Sequence, residues 1–502
     1  MIDRLRRVPL MALVPVLAVL TLFSWAWASP IGSAPDDDFH LVSSWCVGPT
    51  AAENCAPGDE PATGVVPVAL VEIACYAYDA ETSAACQGEQ FPWDTSVQQQ
   101  TKRANFTSAY PPIFYAVTGA LTGADVQLSA LAMRVLTVLL FVGLTVALWL
   151  LLPVHRRSTL AWGWLITTLP LGLFVIASNN PSAWAVIGLG SCWIALLGWY
   201  ETEGRRRWGL GAVFVLSVLI ASGARGDAAL YSGLAMLAVM ILTLERSKRW
   251  MLSSILPVVM GLVALFFFAI SRQVAAGTDG FTGGSTEAEE QLGGFGLLAY
   301  NVLNVPYLWS GVLGDWALGW LDTSLPRIVP LAVVAVFVAV GFAGIRLMWG
   351  RKAIVLALFI VVLWVLPVYV LQQGGDSVGS NLQPRYLLPL IVVFGGLLVM
   401  QRATTTMTFT RPQRFAIITA LGGAHFVALH INMRRYITGI DGSSVNLDAG
   451  AEWWWAGPVG PNAVWLLGSL AYALLVGILV TRLSGPRAAA FAAQVPGTPI
   501  TR

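Results

Sequence analysis

Residues 128–152, with the sequence LSALAMRVLTVLLFVGLTVALWLLL, decide the fold class of this chain. They carry one charged side chain, Arg134, in a run longer than the roughly 20 apolar residues that a helix needs to cross a bilayer. Eleven other runs are similar, at 9–28, 159–178, 182–200, 208–223, 227–244, 251–270, 328–348, 353–371, 386–401, 414–431 and 462–481. The sequence therefore predicts an all-α polytopic membrane protein with about 12 transmembrane helices, in a single domain over residues 1–502.

The composition supports this class and excludes others. Of the 502 residues, 56% are hydrophobic and 11% are charged, whereas soluble domains carry about 25% charged residues. This is too little polar surface for a water-soluble enzyme or a nucleic-acid-binding protein. No P-loop or dinucleotide-binding glycine pattern occurs in a suitable context, which disfavours an ATP-driven pump. Membrane lipids are therefore expected partners, and nucleic acid is not.

The distribution of basic residues predicts how the chain threads through the membrane. With the N-terminus in the cytoplasm and twelve alternating spans, 20 of the 29 Lys and Arg residues fall on the cytoplasmic side, as the positive-inside rule requires. We therefore expect a multi-pass protein of a bacterial cytoplasmic (inner) membrane with both termini in the cytoplasm. The outer loops are then 29–112, 271–327 and 432–461, and 483–502 is a cytoplasmic tail.

The first apolar run has two interpretations. Arg4 to Arg7, the run itself and Ala26-Trp27-Ala28 resemble a secretory signal with its cleavage site. The apolar part of a signal is about 7–15 residues long, and this run is longer. We favour an uncleaved first helix.

Four of the five cysteines lie in the first outer loop, and an even number of cysteines in an exported segment predicts disulfides. Proximity in sequence favours Cys46–Cys55 and Cys75–Cys86, although three connectivities exist. A zinc site is the alternative, and the absence of a Cys-x-x-Cys pair disfavours it. Cys192 lies within a span, where it is expected to be a packing residue.

The sequence Pro35-Asp36-Asp37-Asp38-Phe39-His40, a few residues after the first span, is the strongest candidate for chemistry. Adjacent carboxylates repel one another, which raises the pKa of at least one of them or recruits a cation. Such a cluster can act as a general base or bind a divalent metal ion. His40 follows Asp36 by four residues, so on a helix the two share a face. The alternative is a solvated turn at a helix end.

Charged residues at membrane depth are functional candidates because their burial is costly. Arg134 lies inside the second span, and Arg225 and Asp227 lie between two apolar runs. Arg385 opens the tenth span, where it can bind a lipid-linked phosphate through two parallel hydrogen bonds. The alternatives are structural: a self-paired hairpin for Arg225, a paired or snorkelling side chain for Arg134 and an interfacial anchor for Arg385.

Further candidates lie in the outer turns. Asn180 starts a helix together with Pro181, which helix capping explains without a ligand. Trp453 and Trp454 could stack on a sugar ring, and an interfacial aromatic belt is the alternative. Tyr110 precedes an apolar stretch, 113–121, that is too short to span.

Together these motifs resemble a family of bacterial predicted membrane proteins, the "domain of unknown function 2142" family. Its hallmark is a PDE-x-x-H-F-like motif after the first span, matched here by Pro35, Asp36, Asp37 and His40. This chain has Asp37 where the family more often has Glu, and Phe39 precedes the histidine. Three other landmarks resemble the family: Tyr110-Pro111-Pro112, Ser178-Asn179-Asn180-Pro181-Ser182 and Arg385-Tyr386-Leu387-Leu388-Pro389. The resemblance extends from about residue 10 to residue 400.

That family is in turn similar to class C glycosyltransferases, which are polytopic enzymes with a carboxylate pair in the first outer loop and polyprenyl-phosphate sugars as donors. The resemblance implies a GT-C-like fold in which Asp36 or Asp37 is the base that activates an acceptor hydroxyl. The other carboxylate, with His40, would orient the acceptor or hold a divalent metal ion such as Mg or Mn. Some class C enzymes work without metal, so both alternatives stay open.

The same resemblance implies roles for the remaining candidates. Inversion at the anomeric carbon needs one base and a stabilised phosphate. The phosphate-binding candidates are Arg385 and Arg225, with Arg134 and Arg327 behind them. The sugar and acceptor contacts would come from Tyr110, Asn180, Asp227, Trp453 and Trp454. The expected acceptor is a cell-envelope glycan or lipid, used in cell wall biosynthesis, and the Ala-, Trp- and Arg-rich composition suggests an actinobacterial-type sequence.

Two other functions are compatible with the sequence. A transporter or lipid flippase would use Arg225, Asp227 and Arg134 as a charged pathway, but the internal repeat typical of transporters is not evident. A non-catalytic assembly factor of the cell envelope would use the first outer loop as a docking surface.

Overall fold

The computed structural model describes residues 10–272, 287–346, 348–402 and 407–484. Within these ranges, ten helices are long and apolar enough to cross a membrane. The first is Leu10–Trp27, which opens with a 3-10 turn and continues as α1 (Val14–Trp27). The other nine are α6 (Val126–Leu151), α9 (Pro181–Glu201), α10 (Gly204–Ala224), α11 (Gly226–Thr243), α12 (Lys248–Ile270), α14 (Ile328–Ile345), α15 (Gly350–Gly374), α17 (Arg411–Ile437) and α18 (Pro461–Leu483). The prediction of an all-α polytopic membrane protein is confirmed.

The third and tenth predicted spans differ from the other ten. The third is broken into α7 (Val154–Thr167) and α8 (Leu171–Ile176) on either side of Pro170, which has no backbone N–H to continue a helix. The tenth is the 16-residue helix α16 (Pro384–Val399). At 1.5 Å per residue it is about 24 Å long, less than the roughly 30 Å of a bilayer core.

Buried cations complete the C-terminal end of α16. A helix leaves its last carbonyl groups without partners, and a buried end needs donors from elsewhere. The Lys352 ammonium donates to the carbonyls of Leu398 and Met400, at 2.8 Å each, and Arg156 donates to the carbonyl of Gln401 at 2.6 Å. Lys352 and Arg156 therefore have a structural role, in addition to indicating which side of the membrane is cytoplasmic.

Residues 29–112, which we call the disulfide lobe, fold over one end of the helix bundle. The lobe contains α2 (Asp37–Trp45), α3 (Ala51–Asn54), α4 (Val68–Val71) and an antiparallel sheet of β1 (Ala56–Pro57), β2 (Gly64–Pro67) and β3 (Gln98–Thr101) in the order β1-β2-β3. Its small core includes Trp45, Val66, Leu70 and Ile73. The lobe is followed by α5 (Ile113–Gly119), which is too short to span.

The two disulfides are confirmed as Cys46–Cys55 and Cys75–Cys86. Each closes a short loop within the disulfide lobe, and Cys192 is free and buried. In the described ranges, no group of three His, Cys, Asp or Glu residues could hold a metal ion.

The region predicted as the second outer loop, 271–327, is more ordered than its composition suggests. It contains α13 (Glu287–Ser310), interrupted at Gly293, and a π-helical turn over Gly311–Asp315. The Trp309 indole donates to the Leu363 carbonyl at 3.1 Å, so α13 lies against α15. Residues 273–286 of this loop, residues 485–502 of the predicted tail and the basic residues before Leu10 lie outside the described ranges.

Helix α9 lies at the centre of the bundle, and its most apolar 18-residue window is entirely buried. Gly188 lets α10 approach closely: a Cβ atom there would lie 2.6 Å from the Ser217 carbonyl oxygen. Small residues at such contacts are typical of membrane helix pairs. This packing fixes α9, whose first residues face the disulfide lobe.

We expect the disulfide lobe to face the outside of the membrane. Ser443→Cys, at an exposed position near the lobe end of the bundle, should react with a membrane-impermeant maleimide in intact cells. Glu245→Cys, exposed at the opposite end, should react only after the cells are permeabilised. The opposite labelling pattern would invert the predicted topology.

Candidate functional site

The first turn of α2 gives Asp36 and Asp37 different surroundings. Asp36 lies at the N-terminal cap with φ of 66°, a left-handed conformation that aspartate tolerates better than most residues. Its side chain is 33% exposed, whereas Asp37 and His40 are buried. The sequence candidates Asp36 and Asp37 therefore do not form one carboxylate pair.

Arg385, at the start of α16, binds both the backbone and the side chain of this turn. Its guanidinium donates to the Pro35 carbonyl at 2.7 Å and to Oδ2 of Asp36 at 2.5 Å. The Asn180 amide donates to the same carbonyl at 2.8 Å, while its Oδ1 accepts from the backbone N–H of Ser182. The N-terminal ends of α9 and α16 thus meet at Pro35.

Arg103 in the disulfide lobe is a second partner of Asp36. It donates to Asp38 through Nε and Nη2, at 2.7 Å each, and to Oδ1 of Asp36 at 3.3 Å. Burial alone would raise the pKa of Asp36. The positive charge of Arg385, with a smaller effect of Arg103, outweighs burial and holds that pKa well below its usual range. Asp36 is therefore ionised and paired.

A third arginine, Arg225, lies at the break between α10 and α11. It forms an ion pair with Asp227 (2.7 and 2.9 Å) and donates to the Ser182 hydroxyl at 3.3 Å. Its guanidinium carbon lies 4.8 Å from the centre of the Tyr386 ring, and that of Arg385 lies 5.1 Å from the same ring. Two guanidinium groups thus converge on one tyrosine, an arrangement that suits an anionic ligand.

His40 lies in an aromatic enclosure beside this cluster. Its Nδ1 is 2.9 Å from the Tyr115 hydroxyl, and its ring contacts Phe39, Tyr110 and Phe114 edge-on. Burial lowers the pKa of His40 well below its usual value, against the opposing charge of Asp36. His40 is therefore a neutral hydrogen-bonding partner of Tyr115.

The candidates from five separate parts of the sequence come together here. We call them, with the three residues that join them, the aspartate–arginine cluster: Asp36, Asp38, Arg103, Tyr110, Asn180, Arg225, Asp227, Arg385 and Tyr386. A cavity of about 20 Å³, enough for a water molecule, is lined by Asn180 and Arg385 of the cluster and by the adjacent Pro35.

Sequence reasoning did not single out Arg103, and it named Asp38 only as part of the Pro35–His40 motif, without a role of its own. Arg103 carried a signal, however, because it is one of the nine basic residues that the threading places away from the cytoplasmic side. Arg225 and Arg385 belong to the same nine. An outer-side arginine is the exception in this chain, and three such exceptions meet in the cluster.

Four other candidates have different partners. Arg134 is buried and donates to the carbonyls of Ala26, Ser29 and Pro30, so it ties the end of α1 to the turn that follows. Arg327 pairs with Asp315 at 2.6 Å. Trp453 is buried in a cluster with Tyr76, Trp320 and Tyr436, and Trp454 donates to the Val459 carbonyl.

Asp37 is fully buried behind the cluster. One of its oxygens accepts from the backbone N–H of Ala34 at 3.3 Å, and the other has no hydrogen-bond partner among the described residues. Burial raises the pKa of Asp37 to about 7, although Arg134 partly opposes the shift. Because Asp36 is paired with guanidinium groups and Asp37 is enclosed, these two carboxylates do not fit a shared Mg or Mn ion.

The raised pKa of Asp37 predicts a pH-dependent stability. Between about pH 4 and pH 7 the Asp37 side chain is ionised in the unfolded protein and protonated in the folded one. The contribution of Asp37 to the free energy of unfolding therefore falls as the pH rises and stays constant above about pH 7. Asp37→Asn mimics the protonated form. Its thermal midpoint, followed by tryptophan fluorescence, should match the parent at pH 4 and exceed it increasingly up to pH 7. Asp59→Asn, at an exposed position of the disulfide lobe, is the control, and identical profiles for the parent and Asp37→Asn would contradict the assignment.

The comparison with known proteins agrees with this architecture at the level of the family. No curated protein and no solved structure matches the chain. Residues 19–394 match the family described as "Predicted membrane protein (DUF2142)". The matched range covers about three quarters of the chain and includes every member of the aspartate–arginine cluster. The chain belongs to the DUF2142 family of predicted membrane proteins.

Proposed function

We propose that the chain is a membrane glycosyltransferase that transfers a sugar from a polyprenyl-phosphate donor to a cell-envelope glycan or lipid acceptor. The observation that carries this proposal is the ion pair of a partly exposed carboxylate, Asp36, with a buried guanidinium, Arg385, at the lobe end of a membrane bundle. A general base and a phosphate-binding group are the two parts that an inverting transfer needs.

The donor phosphate is assigned to Arg385 and Arg225. Both are buried, both contact Tyr386, and planar guanidinium groups bind phosphate through paired hydrogen bonds. Asp36 supplies a negative charge to Arg385 in this structure, and a donor phosphate would supply the same charge. Donor binding then replaces a carboxylate by a phosphate on Arg385.

This exchange explains how a strongly paired carboxylate can act as a base. While Arg385 is bound to Asp36, the low pKa of the carboxylate makes it a poor proton acceptor. Once the phosphate engages Arg385, Asp36 loses its main partner and becomes more basic. Asp36 rather than Asp37 is assigned as the base because only the Asp36 side chain is accessible.

The reaction balances with these groups alone. The acceptor hydroxyl oxygen forms a bond to the anomeric carbon, its proton passes to Asp36, and the bond between the anomeric carbon and the phosphate oxygen breaks. The products are the glycosylated acceptor and a polyprenyl phosphate, which Arg385 and Arg225 stabilise as it gains charge.

An apolar cavity is available for the prenyl chain. It has a volume of about 330 Å³ and lies between α1, α6, α7, α8 and α18. Helix α8 connects it to the cluster, because Leu173 lines this cavity while Leu171 and Phe174 line the small cavity at Arg385.

Asp36→Asn should abolish transfer without unfolding the protein. A general base contributes roughly 10²–10⁴-fold to a rate, so we expect a loss of at least about 100-fold in sugar transfer from short-chain polyprenyl-phosphate sugars, measured by mass spectrometry in nanodiscs. Asp59→Asn is the control, because Asp59 is an exposed carboxylate of the disulfide lobe outside the aspartate–arginine cluster. Equal activity of all three proteins would refute the role of Asp36. Movement of the lipid across the membrane without transfer would favour the flippase alternative.

Arg385 should determine donor affinity. Arg385→Ala should weaken binding of farnesyl phosphate at least about tenfold, and Arg385→Lys, which keeps the charge but not the paired geometry, should weaken it less. Binding can be followed by the ligand-induced rise in thermal midpoint. Arg327→Ala, at an exposed position, is the control. Equal affinity of the parent and both Arg385 variants would remove Arg385 from the phosphate site.

A further inference from the structure

A third cavity, outside the aspartate–arginine cluster, lies between α13, the segment that follows it and the loop before α16. We call it the Tyr307 cleft. Its volume is about 400 Å³, within the range of about 300–1,000 Å³ that is usual for ligand pockets. It is lined by Tyr307, Asp315, Trp316, Leu321, Ser324 and Arg327.

The walls of the cleft combine aromatic faces with both signs of charge. The rings of Tyr307 and Trp316 lie 5.5 Å apart, and Arg327 donates to Asp315 at 2.6 Å. The Arg327 side chain is 86% exposed and that of Asp315 is 23% exposed, so this ion pair forms the open side of the cleft. Tyr307 is 42% exposed.

Trp316 is the more buried of the two aromatic residues in the lining. It is 9% exposed, against 42% for Tyr307. Trp316 also lines the small cavity at Arg385.

The cleft is built against the start of α16. A Cβ atom at Gly311 would lie 2.5 Å from the Pro384 side chain and 2.8 Å from the Trp316 ring. Because glycine has no Cβ atom, both side chains can pack against the backbone of Gly311. Pro384 immediately precedes Arg385. Trp316 is therefore the shared wall between the Tyr307 cleft and the proposed phosphate site.

We infer that the Tyr307 cleft binds a saccharide, as the acceptor of the proposed transfer. Aromatic faces suit the C–H surfaces of a sugar ring, and a carboxylate beside a guanidinium offers an acceptor and a donor to its hydroxyls. A free phosphate would be repelled by the Asp315 carboxylate. A lipid chain has no polar groups that could bind Asp315 and Arg327. Trp316 and Leu321 line both the cleft and the small cavity at Arg385, so an acceptor in the cleft would lie next to the proposed donor site.

This inference deepens the proposed function, but its test does not require transfer. The full chain in phospholipid nanodiscs is mixed with methyl glycosides of galactose, glucose, mannose and arabinose, without donor, and binding is measured by saturation-transfer NMR. At least one glycoside should give a signal. Tyr307→Ala should reduce that signal about fivefold or more, while Tyr300→Ala, on the same helix and 40% exposed, should leave it unchanged.

Each outcome decides the inference. No signal with any glycoside, or equal loss in Tyr300→Ala and Tyr307→Ala, would overturn it. If Tyr307→Ala does not fold, the exposed Arg327→Ala takes its place, with the same loss expected. Competition by a farnesyl-phosphate-linked sugar would place the donor's sugar in the cleft and overturn the acceptor assignment. A glycoside that binds but is never glycosylated when polyprenyl-phosphate sugars are added would retain the cleft and overturn the transferase proposal.

Discussion

The contact on which the site depends is the hydrogen bond from the Arg385 guanidinium to the Pro35 carbonyl. It joins the first turn of α16 to the turn after the first span, residues separated by 350 positions. The Asn180 amide binds the same carbonyl, so three parts of the chain meet at one backbone oxygen. With Pro35 fixed, the left-handed conformation of Asp36 sends its carboxylate toward the arginines and leaves Asp37 and His40 inside.

Helix α16 concentrates positive charge at both of its ends, and the two ends are stabilised differently. Lys352 and Arg156 bind carbonyls at its C-terminal end, where the helix dipole favours a cation. Arg385 lies in its first turn, where the dipole disfavours one. The carboxylate of Asp36 offsets that unfavourable position, which makes the ion pair structural as well as chemical. A ligand that takes over Arg385 must therefore be an anion.

The fold class and most members of the site could be predicted from sequence because membrane burial makes each signal large. A charged residue between apolar runs, such as Arg225, is conspicuous, and so is the Asp36–His40 motif. The separate destinations of Asp36 and Asp37 could not be predicted, because they follow from one left-handed residue. The ordered helix α13 was not expected either, since glycines and Pro306 interrupt its apolar pattern. The partners of Arg134 are backbone carbonyls, and no sequence pattern identifies those.

The ion pairs of the aspartate–arginine cluster balance. Arg103, Arg225 and Arg385 face Asp36, Asp38 and Asp227, three positive charges against three negative ones. On the proposed function, a singly charged phosphodiester enters this neutral assembly, and cleavage turns it into a monoester with one more negative charge. Retaining the acceptor's proton on Asp36 keeps the total unchanged until the lipid product departs. When the doubly charged lipid phosphate departs, the cluster is left with one excess positive charge, and release of the Asp36 proton makes it neutral again. Proton release is thereby coupled to product release, so the turnover of the site and its protonation form a single cycle.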